Sequence, residues 1–336
     1  MLREQTAADP ARRHRALAGL TAFQRAPRVP RHAADMVVAT AGRARLIDRG
    51  GAGPAVVLVP SLINPPHILD LAPGNSLCAA LAAAGLRPLL VDWGTPDAGD
   101  ADLTIAGHVE RLLLPLIAAA AAANGGRPPL LAGYCLGGTM AIAAAALAPV
   151  AGLALIAAPW RFAGFPDEAR DAIATIGEAA QPIADTLGLF PIETLQAAFW
   201  RLDPARTIAK FERFAGLDPT SDAGRAFVTL EDWASDGPPL TRGAGMELVD
   251  AFFASDAPGT AMWRVGGRTI DPAALPCPVL DIVSTTDRIV PAASAAGVGD
   301  RITLGLGHVG MVVGGRAPGA LWEPLQRWLC ALAPSW

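Results

Sequence analysis

The chain has 336 residues, 52% of them hydrophobic and 17% charged, with a formal net charge of −4. That length can bury a full core, as one large domain or two modest ones. The charge balance gives no support to nucleic-acid binding, and Cys78, Cys135, Cys277 and Cys330 lack the spacing of a metal site or a disulfide framework.

In chain order, residues 1–34 are arginine-rich without an apolar segment, which predicts a mobile or loosely helical arm and not a secretory signal. Residues 36–40 and 44–48 alternate like two strands of a hairpin, and 55–60 is a continuous apolar run, the mark of a strand buried on both faces. Asn75-Ser76 caps a helix that Gly85 stops, residues 88–92 form the next strand, and Asp102-Leu103-Thr104 opens a long helix to about Ala123. Strands follow at 129–134 and 153–158, separated by an Ala-rich helix. From residue 160 to 268 the pattern changes to helices bearing Phe and Trp, with no buried strand. Residues 278–284 and 301–304 resume the sheet, and 318–332 close the chain as a helix. Strand and helix in alternation specify a mostly parallel, doubly wound α/β sheet. The expected organisation is an arm (1–34), a core (35–159 and 269–336) and a helical cap insertion (160–268). The apolar stretch Leu112 to Ala123 is too short to span a bilayer, and Ala141 to Trp160 is broken at Pro149-Val150-Ala151-Gly152. No transmembrane segment is expected, and a cytoplasmic protein follows.

The chemistry concentrates at Gly133-Tyr134-Cys135-Leu136-Gly137-Gly138, between a strand and a helix. This is the setting of the nucleophile elbow G-x-S-x-G, with sulfur in place of the hydroxyl oxygen. A sulfur nucleophile needs a base and a group that orients the base. Asp287 lies just past the strand 278–284 and His308, in Gly307-His308-Val309, just past 301–304, so both fall at the carboxyl edge of the sheet in the order nucleophile, acid, histidine. Asp92 and Asp281 are other candidates for the acid, neither better placed. His14 and His32 lie in the arm, His108 inside a helix, and His67 in a loop that could line the site. The oxyanion needs two preorganised N–H donors: the backbone of Leu136, and that of Leu62 or Ile63 in the loop after the strand 55–60. A cysteine accepts an acyl group from a thiol carrier by exchanging one thioester for another, and the group stays activated for delivery to an alcohol.

These motifs together resemble the polyhydroxyalkanoate synthases, above all the short class III catalytic subunits. Pro60-Ser61-Leu62-Ile63-Asn64 with Ile68-Leu69-Asp70-Leu71, Val91-Asp92-Trp93-Gly94-Thr95-Pro96, the Cys135 box, Asp287-Arg288-Ile289-Val290-Pro291 and Gly307-His308-Val309 each match a segment of that family, across roughly residues 35–330. Arg161 departs from it, standing where relatives carry an aspartate. The resemblance implies an α/β-hydrolase fold and polymerisation of (R)-3-hydroxyacyl-CoA with release of CoA, through a covalent acyl-Cys135. It implies no cofactor, since acyl-CoA is the substrate. The polyester chain is the second partner, with a homodimer or an accessory synthase subunit as a protein partner, and the granule surface is a place of action within the cytoplasm. A thioesterase or depolymerase on the same scaffold, and a noncatalytic granule-associated protein, are the alternatives.

Overall fold

The computed structural model describes residues 2–28, 35–196 and 203–333. The sheet is built from β1 (Met36–Ala41), β2 (Ala44–Asp48), β3 (Ala55–Val59), β4 (Arg87–Asp92), β5 (Leu130–Tyr134), β6 (Gly152–Ile156), β7 (Val279–Ser284) and β8 (Asp300–Leu304), in the spatial order β1-β2-β4-β3-β5-β6-β7-β8. The pairs from β4–β3 through β7–β8 are parallel, and the hairpin β1–β2 adds an antiparallel edge on β4. Every residue of β3, β5, β6 and β7 is buried, which is why these strands read as unbroken apolar runs. The helices used below are α1 (Pro10–Arg25), α2 (Leu77–Ala83), α3 (Ile105–Ala123), α4 (Leu136–Leu147), α5 (Asp167–Leu187), α6 (Pro204–Phe214), α7 (Asp222–Ser235) and α8 (Glu323–Leu332).

Local signals explain most boundaries. Ser76 caps α2 by accepting from the Ala79 N–H at 2.8 Å, and Thr104 caps α3 by accepting from Gly107 at 3.0 Å. α3 begins earlier than its apolar stretch: with residues 105–111 included it has 19 residues, long and apolar enough by length and composition to cross a bilayer. The expectation that this stretch is too short is corrected accordingly. Its residues Ile105, Val109, Leu113, Leu116, Ile117 and Ala120 are buried, and the helix packs on β1, β2, β3 and α4, so core packing accounts for its apolarity.

The described chain divides into two compact units. The larger comprises Ala34–Ile192 and Pro238–Trp336, and holds the sheet. The smaller comprises Met1–Ala33 and Glu193–Gly237. The 160–268 segment is thus shared out, its middle falling with the arm. Two short ladders also interrupt its helices, Leu189–Phe190 against Leu240–Thr241 and Arg264–Val265 against Arg268–Thr269. Two-residue strands are too short to show a period of two. In the smaller unit α1 is a full helix, started by Asp9 accepting from Arg12 at 2.8 Å with Pro10 in the first turn. It packs against α6, and the rings of Phe23, Phe211, Phe214 and Phe227 form the interior, with Phe214 stacked on Phe227 at 4.3 Å. Arg12 pairs with Glu212, and Lys210 with the buried Glu231. His32 lies outside the described residues.

Candidate active site

β5 delivers the chain to Cys135, whose backbone sits at φ 55, ψ −133, a region that side chains rarely occupy and that costs of order 1–3 kcal/mol. The turn is held from both sides: the Cys135 N–H donates to Ile156 O at 3.0 Å, and its carbonyl accepts from Gly138 at 2.8 Å. Close backbone approach demands the flanking glycines. A Cβ on Gly133 would stand 2.5 Å from the Gly138 Cα, and one on Gly137 would stand 2.2 Å from the Val59 carbonyl oxygen. Sequence and geometry agree on a strand, a tight turn and a helix with sulfur at the apex.

Asp287 and His308 come to the same place from the ends of β7 and β8. Asp287 is buried, and its Oδ1 accepts from the backbone N–H of Ile289 at 2.8 Å and of Val290 at 3.0 Å. Its Oδ2 lies 2.7 Å from Nδ1 of His308. The buried ring also interacts with the Cys135 side chain. Burial disfavours a charged imidazole, but it is outweighed by negative charge on Cys135, the hydrogen bonds to Asp287 and Cys135, and the charge of Asp287, so the pKa is raised to about 10. The ring is therefore poised as an imidazolium whenever the sulfur carries charge.

Two groups that sequence reading passed over support this arrangement. Ser284 Oγ both donates to the Leu306 carbonyl and accepts from the Leu306 N–H at 3.1 Å, tying the loop that carries His308 to the end of β7. Tyr134 stacks on the His308 ring at 4.9 Å between centroids, 25° from parallel. In the sequence each is one more residue of a buried strand. Only the fold reveals what it touches.

The oxyanion candidates fall beside the elbow, since Gly137 lies against the backbone of Val59 and Pro60, where the loop bearing Leu62 and Ile63 begins. Leu136 is the first residue of α4, so its N–H has no partner within the helix. The Ile63 N–H donates to Ser61 Oγ at 3.2 Å, whereas that of Leu62 meets no acceptor among the described residues. The geometry thus favours Leu136 and Leu62, with the positive end of the α4 dipole adding to them.

The remaining candidates go elsewhere. Asp281 pairs with Arg301 at 2.7 Å, and Asp92 with Arg45. His108 is buried with Nδ1 2.7 Å from the Thr104 carbonyl and Nε2 facing Arg43; burial first, then the Arg43 charge, lowers its pKa to about 4, so it is a neutral structural ring. His67 is half-buried in the turn Pro66–Leu69, which packs against the short helix Gly310–Val313 after His308. His14 is exposed on α1. Among the described residues no group of three or more His, Cys, Asp or Glu is arranged to hold a metal.

Comparison with known proteins places this geometry in a family. A family-wide sequence model described as "Alpha/beta hydrolase family" matches residues 56–318. The chain is 27% identical over 288 residues to the poly(3-hydroxyalkanoate) polymerase subunit PhaC of Haloferax mediterranei, covering 81% of this chain and 58% of that protein. It is 28% identical over 293 residues to the PhaC subunit of Synechocystis sp., covering 82% and 77%. The chain therefore spans little more than half the length of the haloarchaeal relative. Among solved structures, BpoC of Mycobacterium tuberculosis matches with a TM-score of 0.54 and 16% identity, covering 90% of this chain and 100% of that one, a likeness of fold. By sheet order, elbow and family match, the chain belongs to the alpha/beta hydrolase family, and within it is similar to the poly(3-hydroxyalkanoate) polymerase subunits.

Proposed function

We propose that the chain polymerises 3-hydroxyacyl-CoA into polyhydroxyalkanoate, releasing CoA, with Cys135 as nucleophile, His308 as acid and base, and Asp287 as the group that orients His308. The observation that carries this reading is sulfur at the elbow beside a buried ring that is hydrogen-bonded to a buried carboxylate. The names of the similar polymerase subunits supply the substrate class.

The cycle balances. The Cys135 thiolate attacks the thioester carbonyl, the oxyanion forms opposite the Leu136 and Leu62 N–H groups, and the carbon–sulfur bond to CoA breaks. His308 gives its proton to the departing CoA sulfur. Acylation removes the sulfur's charge and its hydrogen bond, two of the causes that raise the His308 pKa, so the ring becomes neutral and able to act as a base. It then takes the proton of an incoming 3-hydroxyl group, whose oxygen attacks the acyl-Cys135 carbonyl. The oxygen ester forms, the thiolate leaves, and thiolate and imidazolium are restored. No cofactor enters this cycle, because CoA arrives as part of the substrate. The relatives are named as subunits, and we infer an accessory subunit or a second copy as protein partner, working in the cytoplasm where insoluble polymer accumulates.

The test is incubation with 3-hydroxybutyryl-CoA, following CoA release and product together. Release with insoluble polyester supports the proposal. Release with free 3-hydroxybutyrate assigns a hydrolase instead, and no turnover removes both. Cys135→Ala is expected to abolish release.

A further inference from the structure

The hydrogen bond to Asp287 and the interaction with Cys135 act on the edges of the His308 ring. A further constraint acts on its face. Tyr134, the last residue of β5 and the one tyrosine of the chain, lies there. It is 3% exposed, its ring centroid is 4.9 Å from that of His308, and the planes are 25° apart, an offset stack.

We propose that Tyr134 is a positioning residue for His308, its buried aromatic face holding the imidazole in the plane where the ring bridges Cys135 and Asp287. This rests on the function proposed above. The phenol oxygen contributes little. It donates to the His308 carbonyl at 3.4 Å, long for a hydroxyl bond, so the ring face is the stronger contact. A tyrosine face is electron-rich and attracts a cation stacked upon it, so the contact also favours the imidazolium over the neutral ring. Burial first, then the charges of Cys135 and Asp287, raises the phenol pKa well above 10, so Tyr134 stays neutral and does not compete for the proton. Its chain position adds a mechanical link. Tyr134 immediately precedes Cys135, so one strand end sets both the nucleophile and the plane of its base.

The test compares Tyr134→Phe, which keeps the face and loses the hydroxyl, with Tyr134→Leu, which loses the face. The readouts are kcat and KM with 3-hydroxybutyryl-CoA and an NMR titration of the His308 ring. Tyr134→Phe is expected to stay within about twofold of the parent in kcat with an unmoved His308 pKa. Tyr134→Leu is expected to lower the His308 pKa by about one, and kcat by about three- to thirtyfold at unchanged KM, the range of a desolvated cation–π contact. If circular dichroism shows the Leu variant unfolded, Tyr134→Met makes the same comparison. A faceless variant that is folded, with the parent's His308 pKa and kcat, overturns the proposal, as does a Phe variant as impaired as Leu. Should the parent release no CoA, the proposed function fails, while the titration, which needs no substrate, still decides the role of Tyr134.

Discussion

At the scale of single residues, the candidate site consists of groups whose preferences are set by neighbours a few ångströms away. His308 is the clearest case, since its pKa of about 10 lies above the ordinary value of 6.5 despite a burial that alone would depress it. Because the folded-state pKa is raised, the charged ring adds stability that is fully present below pH 6.5. That stability is lost as pH rises from there through about 10. The stability advantage of the parent over His308→Gln is therefore expected to be greatest at pH 6 and to shrink steadily towards pH 10, as read by urea unfolding at each pH. An advantage that is constant or grows over that range would contradict the assigned charge. Cys135 and Asp287 could be found in the sequence because each follows an apolar strand, and His308 because it comes third in chain order in a glycine-bearing loop past a short strand. Tyr134 and Ser284 could not, since within a buried strand a residue's partner depends on which strands lie beside it.

At the scale of elements, the strands were legible because burial on both faces leaves an apolar run with little else in it, as in Ala55–Val59 and Val279–Ser284. The ends of α3 were legible, from the Thr104 cap to about Ala123, but its interior was not. The helix passes through a widened turn at Val109–Leu113, just before Pro115, whose missing N–H and bulky ring cannot fit a regular helix interior. Its N-terminus is further served by Glu247, which accepts from the Ala106 N–H at 3.1 Å and from Trp263 Nε1 at 2.8 Å, a partnership across some 140 residues that no local signal announces. The elbow is the element most sensitive to added volume. Gly137→Ala would drive a methyl group into the carbonyl oxygens of Val59 and Pro60, at 2.2 and 2.4 Å. It is expected to cost about 1–3 kcal/mol or more, the range for overpacking, and to reduce CoA release below a tenth of the parent's. A variant with the parent's unfolding midpoint and activity would show that the strand and helix do not meet so closely.

At the scale of the whole molecule, hydrophobic period tells which face of a helix is buried but not what covers it. That is why the arm and the middle of the 160–268 segment read as separate pieces. In the structure α1, α6 and α7 share one aromatic interior in which Phe214 is fully buried. Phe214→Ala is expected to destabilise the smaller unit by about 3–5 kcal/mol, seen as an earlier unfolding transition by calorimetry. A loss below about 1 kcal/mol would mean that this interior is not packed as described. The sheet, by contrast, is mostly parallel as the alternation specifies, with the β1–β2 and β2–β4 pairs antiparallel at one edge. The central claim concerns a bond, and intact-protein mass spectrometry after brief exposure to 3-hydroxybutyryl-CoA, with peptide mapping, tests it most directly. The account predicts one or more 3-hydroxybutyryl units on the peptide bearing Cys135, absent in Cys135→Ala. CoA release with no acyl group on that peptide, or with the group held elsewhere, would contradict it.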